Sequence, residues 1–280
     1  AITAAKRGAK VAVAEEAHVF SAGPAGVDHW LYALKNPACK VTPEELMDAL
    51  EFSSFGYING IACYVMCMDA YDALLELEKM GAKVRDTEDE FKGAPFRDEA
   101  TKFLFAYDYE NKHTIRVWGQ TVRPALYAEM LKQKVDMYNR VKVLSLLTED
   151  GKQGAKVVGA TGVNVRTGEF YVFKAKATVV CTGRTERIWD YAGFRLKSGI
   201  QRLLLQSGSG FAMAWNAGAD LMHMESRWVN YFSRFPPYAT GNPGNTWYPC
   251  SMIDAKGKEI PWIDCKGQKL SSLEQRTHPS

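Results

Sequence analysis

What is scarce in this chain narrows its class first. The six cysteines, Cys39, Cys63, Cys67, Cys181, Cys250 and Cys265, include no CxxC pair and are too few and too scattered for a disulfide scaffold in 280 residues. A zinc or iron–sulfur site built from this chain alone is therefore not expected, and the thiols read as reduced side chains of a cytoplasmic protein. Net charge is only +3, which gives no electrostatic case for a nucleic-acid or anionic-membrane partner. No apolar run approaches the length of a membrane span, and no secretory signal is visible. A hydrophobic share of 46% and a charged share of 24% belong to a globular protein, and the length suits one large domain or two ordinary ones.

What is present begins in the middle of a motif. Ala1–Lys10 reads as the back half of a helix that stops at Gly8. Val11-Ala12-Val13-Ala14 reads as a short buried strand running into Glu15-Glu16. Helix, glycine turn, apolar strand and terminal acid form the second half of a dinucleotide-binding βαβ unit, in which the acid accepts hydrogen bonds from a ribose. Glu15 is the expected ribose residue, with Glu16 the fallback. The glycine-rich phosphate loop that normally precedes such a helix is not in the sequence given, so the chain reads as lacking its true N-terminus. Ser21 to Trp30, with Gly23, Pro24 and Gly26, reads as a loop whose backbone another group can approach closely. His29 follows that loop directly, so it is a candidate proton-transfer group; a packed or surface histidine is the plain alternative.

Further along, Thr42-Pro43-Glu44-Glu45 has the pattern of a capped helix start. A second helix is expected from Asn59 to Met80, with Ile61, Tyr64, Met68, Tyr71 and Leu75 as its core stripe and Gly81 as its stop. Residues 83–116 are charged and aromatic without period and read as a solvated surface excursion. Thr121–Gln133 is expected to be helical, with Pro124 in its first turn. An antiparallel meander follows, with strands at Val141–Thr148, Val157–Asn164, Phe170–Lys174 and Thr178–Cys181. The last ends in Thr182-Gly183. Ser207-Gly208-Ser209-Gly210 then opens an alanine-rich helix, and such a start presents free N–H groups and the positive end of the helix dipole.

The order of these pieces resembles the flavoprotein subunit of the fumarate reductase/succinate dehydrogenase family. Ala177-Thr178-Val179-Val180-Cys181-Thr182-Gly183 is similar to the family's A-T-G strand end, and Ser207–Ala214 to its T-G-D-G-x-A-M-A. Ser209 stands where the family usually has Asp, and Arg184 where it has a second Gly. Met224-Glu225-Ser226-Arg227-Trp228 resembles the M-E-N-R-F segment of the adenylylsulfate reductase alpha subunit, whose arginine reaches the substrate; Arg227 matches it. Asp28 falls where that enzyme carries an asparagine against the flavin, so the substrate stays open. Ser251–Ile260 looks like a strand pair that precedes the family's proton-donating arginine, which would lie beyond Ser280.

The resemblance implies an α/β fold: an FAD-binding domain over 1–225, with a parallel sheet and the meander, then the start of a substrate-capping domain over 226–280. It implies FAD held by Glu15, Ser21, Gly23, Gly26, Asp28, Val143, Thr182, Gly183, Ser209 and Gly210, with no metal. Arg227 would clamp a small anionic substrate, a salt bridge being the plain alternative, and an iron–sulfur subunit would carry the electrons. A flavin-holding subunit without turnover is a second reading. An NAD-dependent Rossmann enzyme is a third, disfavoured because NAD domains place βα units where this chain has a meander.

Overall fold

A computed structural model describes residues 1–21, 28–106, 108–183, 207–222, 224, 252–264, 266–272 and 275, without the side chains of 28–30 and 252. The chain divides into two compact units. One comprises Ala1–Pro24 and Tyr127–Pro243, the other Ala25–Leu126 and Gly244–Ser280.

The first unit opens with α1 (Ile2–Lys6) and β1 (Ala12–Glu15), separated by Gly8 in the left-handed region at φ 86°. β1 pairs in parallel with β5 (Asp136–Asn139), Glu15 lying opposite Asn139. Beside this pair stands an antiparallel meander of β6 (Val141–Thr148), β7 (Val157–Asn164) and β8 (Phe170–Lys174), in that order. The three strands occupy the spans their alternation and turn residues predict. The turn at Glu149–Gly151 is possible because Asp150 accepts φ 56°, a conformation Asp tolerates better than most residues. At the next turn Asn164 Oδ1 accepts from the N–H groups of Arg166 and Thr167 at 2.9 and 3.2 Å. β6 carries a bulge: Leu144 is an extra residue between the pairs Val143–Gly162 and Ser145–Thr161.

A fourth strand at Thr178–Cys181 does not form. Ala175 N–H still donates to Val158 O, but beyond it no described strand offers a ladder, and Val179 stands 84% exposed. α5 (Ser209–Ala217) closes the unit and packs on β6. Its C-cap Gly218, at φ 95°, sits so close to the 153–154 backbone that a Cβ would collide with it, and Ala217 O accepts from Gly154 N–H at 2.9 Å.

The second unit is built on an antiparallel sheet, β2 (Asp28–Tyr32), β4 (Thr114–Trp118) and β3 (Leu104–Phe105), in the order β2–β4–β3. The loop expected to run to Trp30 thus gives way to a strand at Asp28. α2 (Pro43–Ser53) and α3 (Gly60–Lys79) pack together, and α3 lies against β2. The capping box on α2 is made in full: Thr42 Oγ1 accepts from Glu45 N–H, and Glu45 Oε2 accepts from Thr42 N–H. Asn59 caps α3 through Ala62 N–H, and Gly81 takes φ 97° just past its end.

Two expectations fail here. The buried face of α3 is Cys67, Ala70 and Leu74, whereas Ile61 and Tyr64 of the expected stripe are exposed. The segment 83–116 is not a solvated excursion. Val84, Phe103, Phe105 and Ile115 belong to the unit's core with Leu74, Ala33 and Val117, and Asp86 and Arg97 are buried beneath the charged surface. These charges are inside because they are paired: Arg97 meets Asp86, Asp89 and Glu99. α4 (Gly119–Lys132) begins two residues before the expected start, so Pro124 falls past its first turn. A short hairpin, β9 (Met252–Ile253) and β10 (Glu259–Ile260), matches the expected strand pair. The expected domain division at 225/226 lies outside the described residues.

Candidate functional site

The carboxyl ends of β1 and β5 lie side by side in the first unit, and ends of parallel strands are where open α/β sheets receive ligands. Glu15 is the last residue of β1. Its Oε1 accepts from Ala17 N–H at 3.1 Å, which points the carboxylate back over the strand end. Glu16 is held elsewhere, by Lys142 Nζ of β6 at 3.2 Å. Each acid accepts one hydrogen bond at Oε1; they differ in partner, a backbone N–H for Glu15 and a lysine ammonium for Glu16.

The chain leaving β1 is pinned at this edge. Asn139 Oδ1 accepts from Val19 N–H at 2.8 Å, and Ala17 O accepts from Arg140 N–H at 2.9 Å. Val19 is buried, and Phe20 meets Tyr127 edge-on with centroids 5.1 Å apart. Ser21 closes this turn with both its donors, N–H and Oγ–H, aimed at His18 O at 2.7 and 2.8 Å. Ser21 therefore presents oxygen lone pairs rather than an N–H. His18 Nδ1 accepts from Phe20 N–H at 3.1 Å, so that nitrogen is occupied. Sequence pattern did not single out Asn139. Its only local signal is a polar residue closing a short apolar strand.

Val143 lies on β6 opposite Gly162, next to the Leu144 bulge, which interrupts the ladder and frees backbone groups there. β6 is also the shared neighbour of β1 and α5. Through it the ribose candidate, the adenine-side candidate and the glycine-rich helix start belong to one compact unit.

At that helix start, Gly208 is the N-cap at φ 81° and no side chain caps the helix. Gly210 is buried with Thr182 pressed against its α-carbon: a Cβ there would fall inside the Thr182 hydroxyl and 2.9 Å from Thr182 Cβ. Gly183 then turns the chain at φ 76°. Thr182, Gly183, Ser209 and Gly210, found in two separate motifs of the sequence, thus form one junction. The first-turn N–H groups of α5 and its dipole make this junction a place for negative charge.

Gly23, Gly26 and Arg227 lie outside the described residues. Asp28 and His29 sit on β2 of the second unit, opposite Trp118 and Val117.

A family profile described as FAD binding domain matches residues 1–231. The chain belongs to the FAD binding domain family. A fumarate reductase (CoM/CoB) subunit from Methanothermobacter marburgensis is 31% identical over 172 residues, 61% of this chain and 28% of that protein. The succinate dehydrogenase flavoprotein subunit of Rickettsia felis is 30% identical over 213 residues, 73% of this chain and 31% of that protein. The chain thus spans under a third of the length of these relatives. In structure, adenylylsulfate reductase from Archaeoglobus fulgidus superposes with a TM-score of 0.54 at 20% identity, covering 75% of this chain and 32% of that one, which supports the fold. The cofactor of this family is FAD, and the site fits it. A carboxylate with spare acceptor capacity ends β1, a helix N-terminus stands without a side-chain cap, and the Thr182–Gly210 contact holds that terminus in place.

Proposed function

We propose that this chain is the FAD-holding portion of an oxidoreductase of the fumarate reductase/succinate dehydrogenase type. It would pass hydride or electrons between a small anionic substrate and an iron–sulfur partner. The observation that carries the reading is the grouping of Glu15, Val143 and the Thr182–Gly210 junction around β6 in one unit of a chain that belongs to the FAD binding domain family. The names of the relatives support the reaction class and the multisubunit setting. Among the described residues no group of His, Cys, Asp and Glu side chains could hold a metal ion. No helix among them is long and apolar enough to cross a membrane.

In this reading Glu15 accepts hydrogen bonds from the ribose, and the backbone at Val143 faces the adenine. The α5 N-terminus at Ser209 and Gly210, with Thr182 and Gly183, meets the anionic or ring-oxygen side. The loop through Gly23, Gly26 and Asp28 lies along the cofactor, with Ser21 at its entry. When bound, FAD supplies a ring that takes up or releases a hydride. His29 is the candidate for moving a proton, from its place directly after the glycine loop. Arg227 is the candidate substrate clamp, because a guanidinium grips a planar anion with two parallel donors. Residues 226–280 would begin a capping domain.

The test is the visible absorption spectrum of the purified protein, followed by acid precipitation to see whether a flavin is released. A colourless protein that takes up no added FAD would overturn the reading. Glu15→Gln replaces a charge-assisted bond by a neutral one and is expected to weaken FAD binding by on the order of 1 kcal/mol. Titration of the apoprotein with FAD checks this, and an unchanged Kd would remove Glu15 from the site. Arg227→Lys keeps the charge but loses the fork. It should lower kcat/KM by about 1–3 kcal/mol in transition-state terms while flavin reduction by an artificial donor stays normal. Wild-type turnover in that variant would leave the salt-bridge reading of Arg227.

A further inference from the structure

From Val41 to Glu78 the chain has no lysine or arginine, although the whole sequence has 35. That stretch is α2, α3 and the turn between them, and it carries Glu44, Glu45, Asp48, Glu51, Asp69, Asp72, Glu76 and Glu78. Three of these carboxylates are already matched by cations from outside the stretch: Asp72 by Lys35, Glu76 by Lys79 and Glu78 by Arg85. Asp48, Glu51 and Asp69 are exposed and make no ion pair among the described residues.

The tip of the same hairpin is apolar and turned to solvent. Phe52, Phe55, Tyr57, Ile61, Tyr64 and Val65 are all exposed, Phe55 to 91% and Ile61 to 81%. They follow one another along 14 residues of chain at the end of α2 and the start of α3. Scattered exposed apolar residues need no explanation, but a contiguous set rich in aromatics does, because that composition marks the centre of protein interfaces. The backbone adds a second sign. Phe55 adopts φ 54°, a left-handed conformation that glycine or asparagine takes at lower cost, and Gly56 follows at φ 79°. Strain is thus retained at the most exposed apolar residue of the tip. An acidic border excludes one common occupant of apolar tips, since an anionic membrane would be repelled by Asp48 and Glu51.

We propose that the α2–α3 tip is a docking surface for a partner protein whose contact face has an apolar centre and a lysine- or arginine-rich border. Apolar burial at Phe55 and Ile61 would supply the affinity, and the one-signed carboxylate border the orientation and encounter rate. The proposal stands apart from the flavin reading, because none of its residues has a part in that reading.

The experiment titrates the purified full chain with an amphipathic helical peptide of leucine and lysine, with its leucine–glutamate counterpart, and with phosphatidylglycerol vesicles. Sedimentation velocity follows self-association. The leucine–lysine peptide is expected to bind and the other two are not. Phe55→Ser combined with Ile61→Ser should raise its Kd on the order of tenfold, and Asp48→Lys combined with Glu51→Lys on the order of threefold or more. Because these side chains are exposed, the unfolding temperature should hold in both variants. Binding of the leucine–glutamate peptide with similar Kd, binding to the vesicles, or insensitivity to both pairs of substitutions would each overturn the proposal. So would a dimer that either pair abolishes, since the occupant would then be a second copy.

Discussion

Gly210 shows how much one missing methyl group decides. Thr182 lies against its α-carbon, so Gly210→Ala would force apart the Thr182–Gly183 segment and the helix start that form the proposed cofactor junction. Overpacking of this kind costs about 1–3 kcal/mol. Gly210→Ala is expected to lower the unfolding temperature and weaken FAD binding together, and Thr182→Ala in the same chain should recover part of both losses. A variant as stable as wild type, with full FAD affinity, would show that the junction yields freely. The need for small residues at this helix start was legible from Ser207–Gly210, and the acid at the end of β1 from the strand before it. Their partners were not. That Thr182 is what crowds Gly210, and that Lys142 pairs with Glu16, are contacts between residues far apart in sequence, which local pattern does not encode.

At the level of elements, α3 is informative because its sequence is apolar almost all round over Ile61–Met68. A period of 3.6 marks a face only when the opposite face is polar, so the buried set of Cys67, Ala70 and Leu74 could not be told from its neighbours. The segment 83–116 misleads in the other direction. Its charge density suggests solvent, yet its carboxylates and cations satisfy one another over the core. Asp98 is the clearest case. Burial would raise its pKa, but this is outweighed by hydrogen bonds from Lys112 and from the hydroxyl and N–H of Thr101, which hold the carboxyl down to about 2. A carboxyl depressed in the folded state stabilises fully above its ordinary value of 3.8 and loses that contribution as pH falls through about 2. Asp98→Asn should therefore be less stable than wild type near neutral pH, on the order of 1–2 kcal/mol after solvent screening. The difference between the two should close between about pH 4 and pH 2. Thermal unfolding across that range checks it, and a gap independent of pH would assign the effect to lost packing instead.

For the molecule as a whole, the class of fold was legible. Turn and alternation signals gave the three meander strands that form, out of four expected, because local turn chemistry and strand alternation agree there; the parallel sheet was implied by the resemblance, and its strand β5 had no reading of its own. The two compact units interleave along the sequence, each assembled from two separated stretches. Long-range closure of this kind leaves no mark on composition. The bulge in β6 bears on the same matter of chain length. By adding one residue at Leu144, it puts Val141, Val143 and Leu146 on one side of the ladder, across from Asn164, Gly162 and Ala160. Ser145 is left on the other side, its hydroxyl 2.6 Å from that of Thr161. Leu144 itself is exposed, so a wide range of side chains is acceptable there. Its removal would leave the pairing as it is: Val143 would still face Gly162 and Ser145 would still face Thr161, now in an unbroken ladder, and what would be lost is the set of backbone groups the bulge frees beside Val143. Over evolutionary time this site should thus drift freely in identity, and β6 can shorten by this one residue without carrying any other side chain across the sheet.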